Sequence, residues 1–131
     1  MSLTLIINIT ALNPDVFEKD SSSTASAATV GSSGDIDLSD VDDAVDISWT
    51  FAESLDEEFK PLTPPPGPIM FRTITAPPVA PGSGIFGTPS LSNGNRTVSV
   101  SDANSSTETT KTFNYTIYET HGPDDPRVTN R

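Results

Sequence analysis

Val45-Asp46-Ile47-Ser48-Trp49-Thr50-Phe51 alternates apolar and polar side chains without a break. Successive side chains of a strand leave opposite faces, so this period of two reads as a half-buried β-strand. Val45, Ile47, Trp49 and Phe51 share the face turned to a core, and that face holds the chain's only tryptophan. The pattern recurs on both sides of this stretch. Leu3, Leu5, Ile7 and Ile9 alternate with Thr4, Ile6, Asn8 and Thr10; Val98 and Val100 alternate within Thr97–Ser101; Phe113, Tyr115 and Ile117 alternate with Asn114, Thr116 and Tyr118. Ile69–Ile74 is a further strand, Ile36, Leu38 and Val41 suit a shorter one, Ile85-Phe86 a stub, and Val128 a final strand contact. Phe51, Leu55 and Phe59 fall at i, i+4 and i+8, the spacing of a short helical turn, before Pro61 ends it.

Between these elements lie turn signals. Asn13-Pro14-Asp15 and Asn93-Gly94-Asn95 read as tight turns. Residues 20–34 are mostly Ser, Thr, Ala and Gly and predict a loop or a weak edge strand. Residues 61–68 carry Pro61, Pro64, Pro65, Pro66 and Pro68, which favour a rigid extended connection over a ligand for proline-recognising modules. About six to eight short strands with no long helical period predict an all-β chain, an antiparallel immunoglobulin-like β-sandwich formed as a single domain over 1–131. Trp49 suits the core tryptophan of such a sandwich. No internal repeat of fixed period is present.

Composition narrows the chemistry. The 131 residues include 18 acidic and 7 basic side chains, a net charge of −11, with one histidine and no cysteine. Disulfides, thiol nucleophiles and thiolate metal sites are therefore excluded. Residues 1–60 hold 13 acids and two lysines, whereas residues 61–131 balance five acids with five bases. This acidity disfavours nucleic acid, whose phosphates need clustered Lys/Arg, and anionic lipid surfaces. No apolar run approaches the ~20 residues that span a bilayer. Met1–Thr10 lacks a basic n-region and a nearby cleavage site, so no signal peptide is expected and a cytoplasmic location is the default expectation.

One stretch carries a family resemblance. The strand at Phe113–Tyr118 is followed by Gly122-Pro123-Asp124 and then by Asp125, Pro126, Val128, Asn130 and Arg131 in the order Asp-Pro-x-Val-x-Asn-Arg. This ending resembles that of small bacterial proteins labelled the DP-EP family, mostly from marine bacteria. The resemblance covers about ten residues. It implies a compact β domain and brings no activity with it.

Each candidate site in the chain has a plainer alternative. With Asp35 as position 1 of a calcium loop, Asp37 stands at 3, Ser39 at 5, Val41 at 7, Asp43 at 9 and Asp46 at 12. Calcium takes six to eight hard oxygens, which such spacing offers. Asp40 at position 6, where the sharp turn needs glycine, and Asp46 at 12, where a bidentate glutamate is expected, depart from an EF-hand and suit a looser site between loops. The plainer reading is strand alternation, with Asp35 and Asp37 outward and Ile36 and Leu38 inward. Glu53, Asp56, Glu57 and Glu58 sit too close in sequence to face each other across a cleft, as a hydrolase pair must. His121 has Asp124 and Asp125 nearby but no nucleophile elbow for a serine. No phosphate loop or dinucleotide fingerprint occurs. Four glycosylation tripeptides, at Asn8, Asn95, Asn104 and Asn114, are read as coincidence, since about a quarter of the chain is Ser or Thr. Tyr118 is the better exposed aromatic for sugar stacking, with Trp49 assigned to the core.

The first expectation is thus a non-enzymatic β-sandwich with a structural or protein-interaction role, through a protein partner or self-association, without a cofactor. The second is a calcium-dependent binding module for carbohydrate that uses Asp35, Asp37, Ser39, Asp43 and Asp46. An Asp/Glu hydrolase ranks last.

Overall fold

The computed structural model describes residues 3–12, 15–62, 67–73, 78–79, 86–104, 112–119, 122–124 and 127–130. Its strands are β1 (Leu3–Ala11), β2 (Val16–Lys19), β3 (Thr29–Val30), β4 (Ile36–Asp37), β5 (Val45–Phe51), β6 (Ile69–Thr73), β7 (Pro78–Val79), β8 (Ser90–Ser92), β9 (Thr97–Asp102), β10 (Thr112–Glu119), β11 (Gly122–Asp124) and β12 (Arg127–Thr129). The described residues contain no helix, so the chain is all-β. The strand count exceeds the expected six to eight, because segments of two and three residues also pair. The helical turn expected from Phe51, Leu55 and Phe59 does not form. Residues 52–55 make a single turn closed by the Leu55 N–H donating to the Ala52 carbonyl at 2.9 Å, and the Phe51 and Phe59 rings meet at 4.6 Å between centroids.

Five strands form one sheet in the order β2-β1-β5-β9-β8. The other sheet runs β3-β4-β12-β10-β6-β7, with β11 also on β10. Most pairs are antiparallel, but β1 lies parallel to β5 and β4 parallel to β12, which corrects the purely antiparallel expectation. The reason is the path between them. After β2 the chain leaves its sheet, supplies β3 and β4 to the other, and returns as β5 in the direction of β1. Parallel neighbours require such a long crossover. Beyond β10, β11 and β12 continue one line in a single register, with Glu119 opposite Gly122 and Thr112 opposite Thr129.

Alternation fills one core from both sheets. Leu5, Ile7, Ile9, Val45, Ile47, Trp49, Phe51, Val98 and Val100 from the first sheet are buried in the same cluster as Ile36, Ile69, Phe71, Phe113, Tyr115, Ile117 and Val128 from the second. Trp49 is fully enclosed, as its strand pattern predicts. Its ring lies 5.2 Å from that of Tyr115, and its Nε1 donates to the Tyr115 hydroxyl at 3.3 Å. That hydroxyl donates in turn to the Gly34 carbonyl at 2.5 Å, so a hydrogen-bonded chain crosses between the sheets and ends on the β3–β4 turn. A buried indole and a buried phenol each need such a partner. On one flank the two sheets are stitched directly by the Phe17 N–H donating to the Ser32 carbonyl at 2.9 Å.

No helix among the described residues is long and apolar enough to cross a membrane.

Candidate functional site

The five residues of the calcium reading are all on the outside. Asp35, Asp37, Ser39, Asp43 and Asp46 are exposed, while Ile36, Leu38, Val41 and Val45 between them are buried. Strand geometry accounts for this, since β4 and β5 send alternate side chains to opposite faces. Asp37 Oδ1 accepts from the Ser39 N–H at 2.9 Å and the Ser39 hydroxyl at 2.6 Å, and these bonds hold its carboxyl below the usual carboxylate range. Asp46 stands on the outer face of β5, opposite Ser101.

The inward side of the same segment is taken up by an asparagine. Asn104 Nδ2 donates to the carbonyls of Val41 at 2.6 Å, Asp43 at 3.2 Å and Leu38 at 3.3 Å. Those oxygens point at an amide, which does for this loop what a cation does for a calcium loop: it satisfies converging carbonyls. Among the described residues no group of three or more His, Asp or Glu side chains is gathered for a metal.

Asn104 belongs to a buried polar cluster that the sequence reading passed over. Asp102 ends β9, lies opposite Val45 and bridges to Phe86, and is fully enclosed. Its Oδ1 accepts the Asn104 N–H at 2.7 Å, and Oδ2 has no hydrogen-bond partner. Burial pushes the carboxyl up to about 7, against the opposing pull of the Asn104 N–H and a hydrogen bond from the Asn130 side chain. Removal from water disfavours the charged form, and these hydrogen bonds do not offset it. Asn104 has a φ of 54°, a left-handed conformation that asparagine tolerates better than most residues. Asn130 is fully buried beside this acid, directly after β12. A signal for Asp102 was present: it continues the inward phase of Val98 and Val100.

Two of the scarce cations act in the same way as Asn104. Lys19 Nζ donates to the carbonyls of Ala28 at 2.8 Å, Ala25 at 3.0 Å and Ser26 at 3.3 Å. Arg96 donates to those of Ala52 at 2.6 Å, Glu57 at 3.2 Å and Phe51 at 3.5 Å. Each of three loops is thus gathered round one side-chain donor. Loop carbonyls removed from water need such donors, and charged ones bond most strongly.

No family model and no curated protein matches the chain.

The remaining candidates fall in different places. Glu53, Asp56 and Glu58 are exposed on the 52–59 segment, and Glu57 is buried with Oε1 accepting the Glu58 N–H at 3.0 Å. Tyr118 is half-buried on the outer side of β10. His121, Asp125, Pro126 and Arg131 lie outside the described residues. Of the C-terminal motif, Val128 is enclosed in the core and Asn130 in the polar cluster.

The outer face of the five-stranded sheet is rich in short hydroxyl side chains in a way that individual strands do not reveal. Register aligns Thr4, Asp46 and Ser101 in one row. Ile6, Ser48, Ser99 and Ser90 form the next, and Asn8, Thr50, Thr97 and Ser92 the third. Rows recur about every 7 Å along the strands, and neighbours within a row stand about 4.8 Å apart. Thr50 and Thr97 join hydroxyls across their row at 2.7 Å.

Proposed function

We propose that the chain is an immunoglobulin-like β-sandwich that acts by contact and not by catalysis, as a structural or protein-interaction module. The observation that supports this reading is the outer face of the five-stranded sheet. It presents mostly short hydroxyl side chains in three registered rows, with Asn8, Asp46 and Ile6 among them. Side chains of this size lose little rotamer freedom when covered, and they offer donors and acceptors to a facing surface. Lys19 and Arg96 are engaged with loop carbonyls, which leaves the rows without a cation. The first partner to test is a second copy of the chain.

Sedimentation across a concentration series makes the test. A reversible rise in mass is expected, strengthened by salt, because the net charge of −11 opposes approach of two copies until it is screened. Ser48→Arg with Ser99→Arg places two long cations in the central row and should abolish the rise without unfolding the protein. A mass that stays monomeric at every concentration and salt level rules out self-association by this face.

The calcium reading rests on the Asp35–Asp46 spacing and competes with this one. Calcium at 100 times its dissociation constant would add about 2.7 kcal/mol to the folded state and raise the melting temperature by several degrees. The contact reading expects the same midpoint in calcium and in chelator. A shift lost in Asp35→Asn with Asp37→Asn would reverse the order of the two readings.

A further inference from the structure

The β8–β9 hairpin carries a chemically reactive pair that the contact reading does not use. Asn93-Gly94 is the only Asn-Gly step in the sequence, and it forms the tip of this hairpin. Asn93, Gly94 and Asn95 are all exposed and have φ values of 53°, 63° and 65°. Asn-Gly is favoured at such tips because both central residues of the turn need positive φ. A Cβ placed on Gly94 would meet nothing within 4 Å, so the space beside its Cα is open.

We propose that Asn93 is a site of spontaneous modification, where the Gly94 backbone nitrogen closes on the Asn93 side chain and leaves an aspartyl or isoaspartyl residue. In the first step a bond forms between that nitrogen and Asn93 Cγ, the side-chain carbon–nitrogen bond breaks, and ammonia leaves with the Gly94 proton. Water then adds to either carbonyl of the five-membered imide, breaks its bond to nitrogen and returns a proton there. Nothing is oxidised or reduced. Opening at the Asn93 backbone carbonyl carbon routes the main chain through Cγ and lengthens it by one atom.

Five of the other six asparagines are set apart by their neighbours in sequence or in the fold. Asn13 precedes Pro14, which has no N–H to attack with. Asn8 donates its amide to Asp20 at 2.9 Å within β1. The Asn104 amide is buried against three carbonyls, and Asn130 is enclosed. Asn95 is followed by Arg96, whose side chain is fixed on the 51–57 carbonyls.

A longer backbone at position 93 would be felt beyond the turn. The Arg96 N–H donates to the Asn93 carbonyl at 3.2 Å, and the Phe59 N–H to the Asn95 carbonyl at 2.8 Å. Phe59 is buried and also pairs with Glu119 of the other sheet. The modification therefore loosens the 52–59 segment through Arg96 and Phe59.

The experiment ages the full chain in warm neutral buffer, digests it with trypsin and fragments the peptide Thr73–Arg96. The expected result is a gain of about one mass unit on Asn93, with backbone cleavage ions of an isoaspartyl link. Amide exchange over 52–59 should be faster in the aged protein. Asn93→Gly keeps a residue suited to positive φ, removes the reacting amide, and should show neither change. A mass gain on Asn95 instead of Asn93 would overturn the proposal. So would an unchanged peptide after a time in which the urea-unfolded chain is fully converted. Unchanged exchange over 52–59 in protein bearing the isoaspartyl link would overturn the coupling.

Discussion

Asp102→Asn should remove most of the loss of stability that the parent protein suffers between about pH 4 and about pH 7. The folded carboxyl titrates at about 7, against an ordinary value of 3.8. Below the ordinary value the carboxyl is protonated in both states and its effect is constant. Between the two values the unfolded chain releases the proton and the folded chain keeps it. The folded state then binds more protons, so stability falls as pH rises and levels off above about 7. From 3.8 to about 7, at about 1.36 kcal/mol per pH unit, the fall is about 4 kcal/mol. Asparagine retains an oxygen for the Asn104 N–H and carries no charge at any pH. Urea unfolding of both proteins over this range gives the difference curve. Asp20 and Asp37 shift the other way, held low by hydrogen bonds, and cancel from that difference because both proteins contain them. Parallel stability curves for parent and variant would show that the buried acid does not set the pH response.

Asn104→Ala is expected to cost about 2–5 kcal/mol. Its amide donates to the carbonyls of Leu38, Val41 and Asp43, and without it these are left short of donors beside the core, at about 1–3 kcal/mol. Alanine must also hold the left-handed backbone at φ 54°, which adds about 1–2 kcal/mol. Asn104→Gly separates the two effects, because glycine loses the donors and keeps the conformation at ease. Glycine should therefore fall between alanine and the parent in urea unfolding. Hydrogen exchange should rise over residues 38–43 in both variants. Two variants within about 0.5 kcal/mol of the parent would show that the loop does not depend on this side chain.

How far these features could be read beforehand depends on the range of the interaction behind them. β5, β9 and β10 were legible because alternation is a local property, and Trp49 follows from its place in that alternation. The outward setting of Asp35 and Asp37 was legible for the same reason. Strand direction was not. Leu3–Ala11 has the same pattern whether its neighbour runs parallel or antiparallel, and the choice was made by the detour through β3 and β4. Asp102 could have been found by extending the phase of Val98 and Val100 by two residues. The role of Asn104 could not, because its partners lie 61 to 66 residues earlier and are backbone atoms that carry no sequence identity. Lys19 and Arg96 escaped notice for a related reason, since a cation bonded to carbonyls looks in sequence like any surface cation. The outer rows of the five-stranded sheet emerge only once four strands are set in register.

The position of β12 inside the seven-stranded sheet bears on when that sheet can exist. β4 pairs on one side with the two-residue β3 and on the other with β12, whose residues are 127–129. During synthesis β4 therefore leaves the ribosome some ninety residues ahead of its main partner, and the β10–β6 pair must wait to be joined to it. β12, the last of the described strands, is an interior one. Long loops close slowly relative to local hairpins, so β10 is expected to pair first with β11 and β12, then with β6 over some forty residues, and β4 to join β12 last. A chain cut before residue 127 would lose the strand that joins β4 to β10, leaving β3–β4 and β10–β6–β7 as separate fragments, each with an open edge.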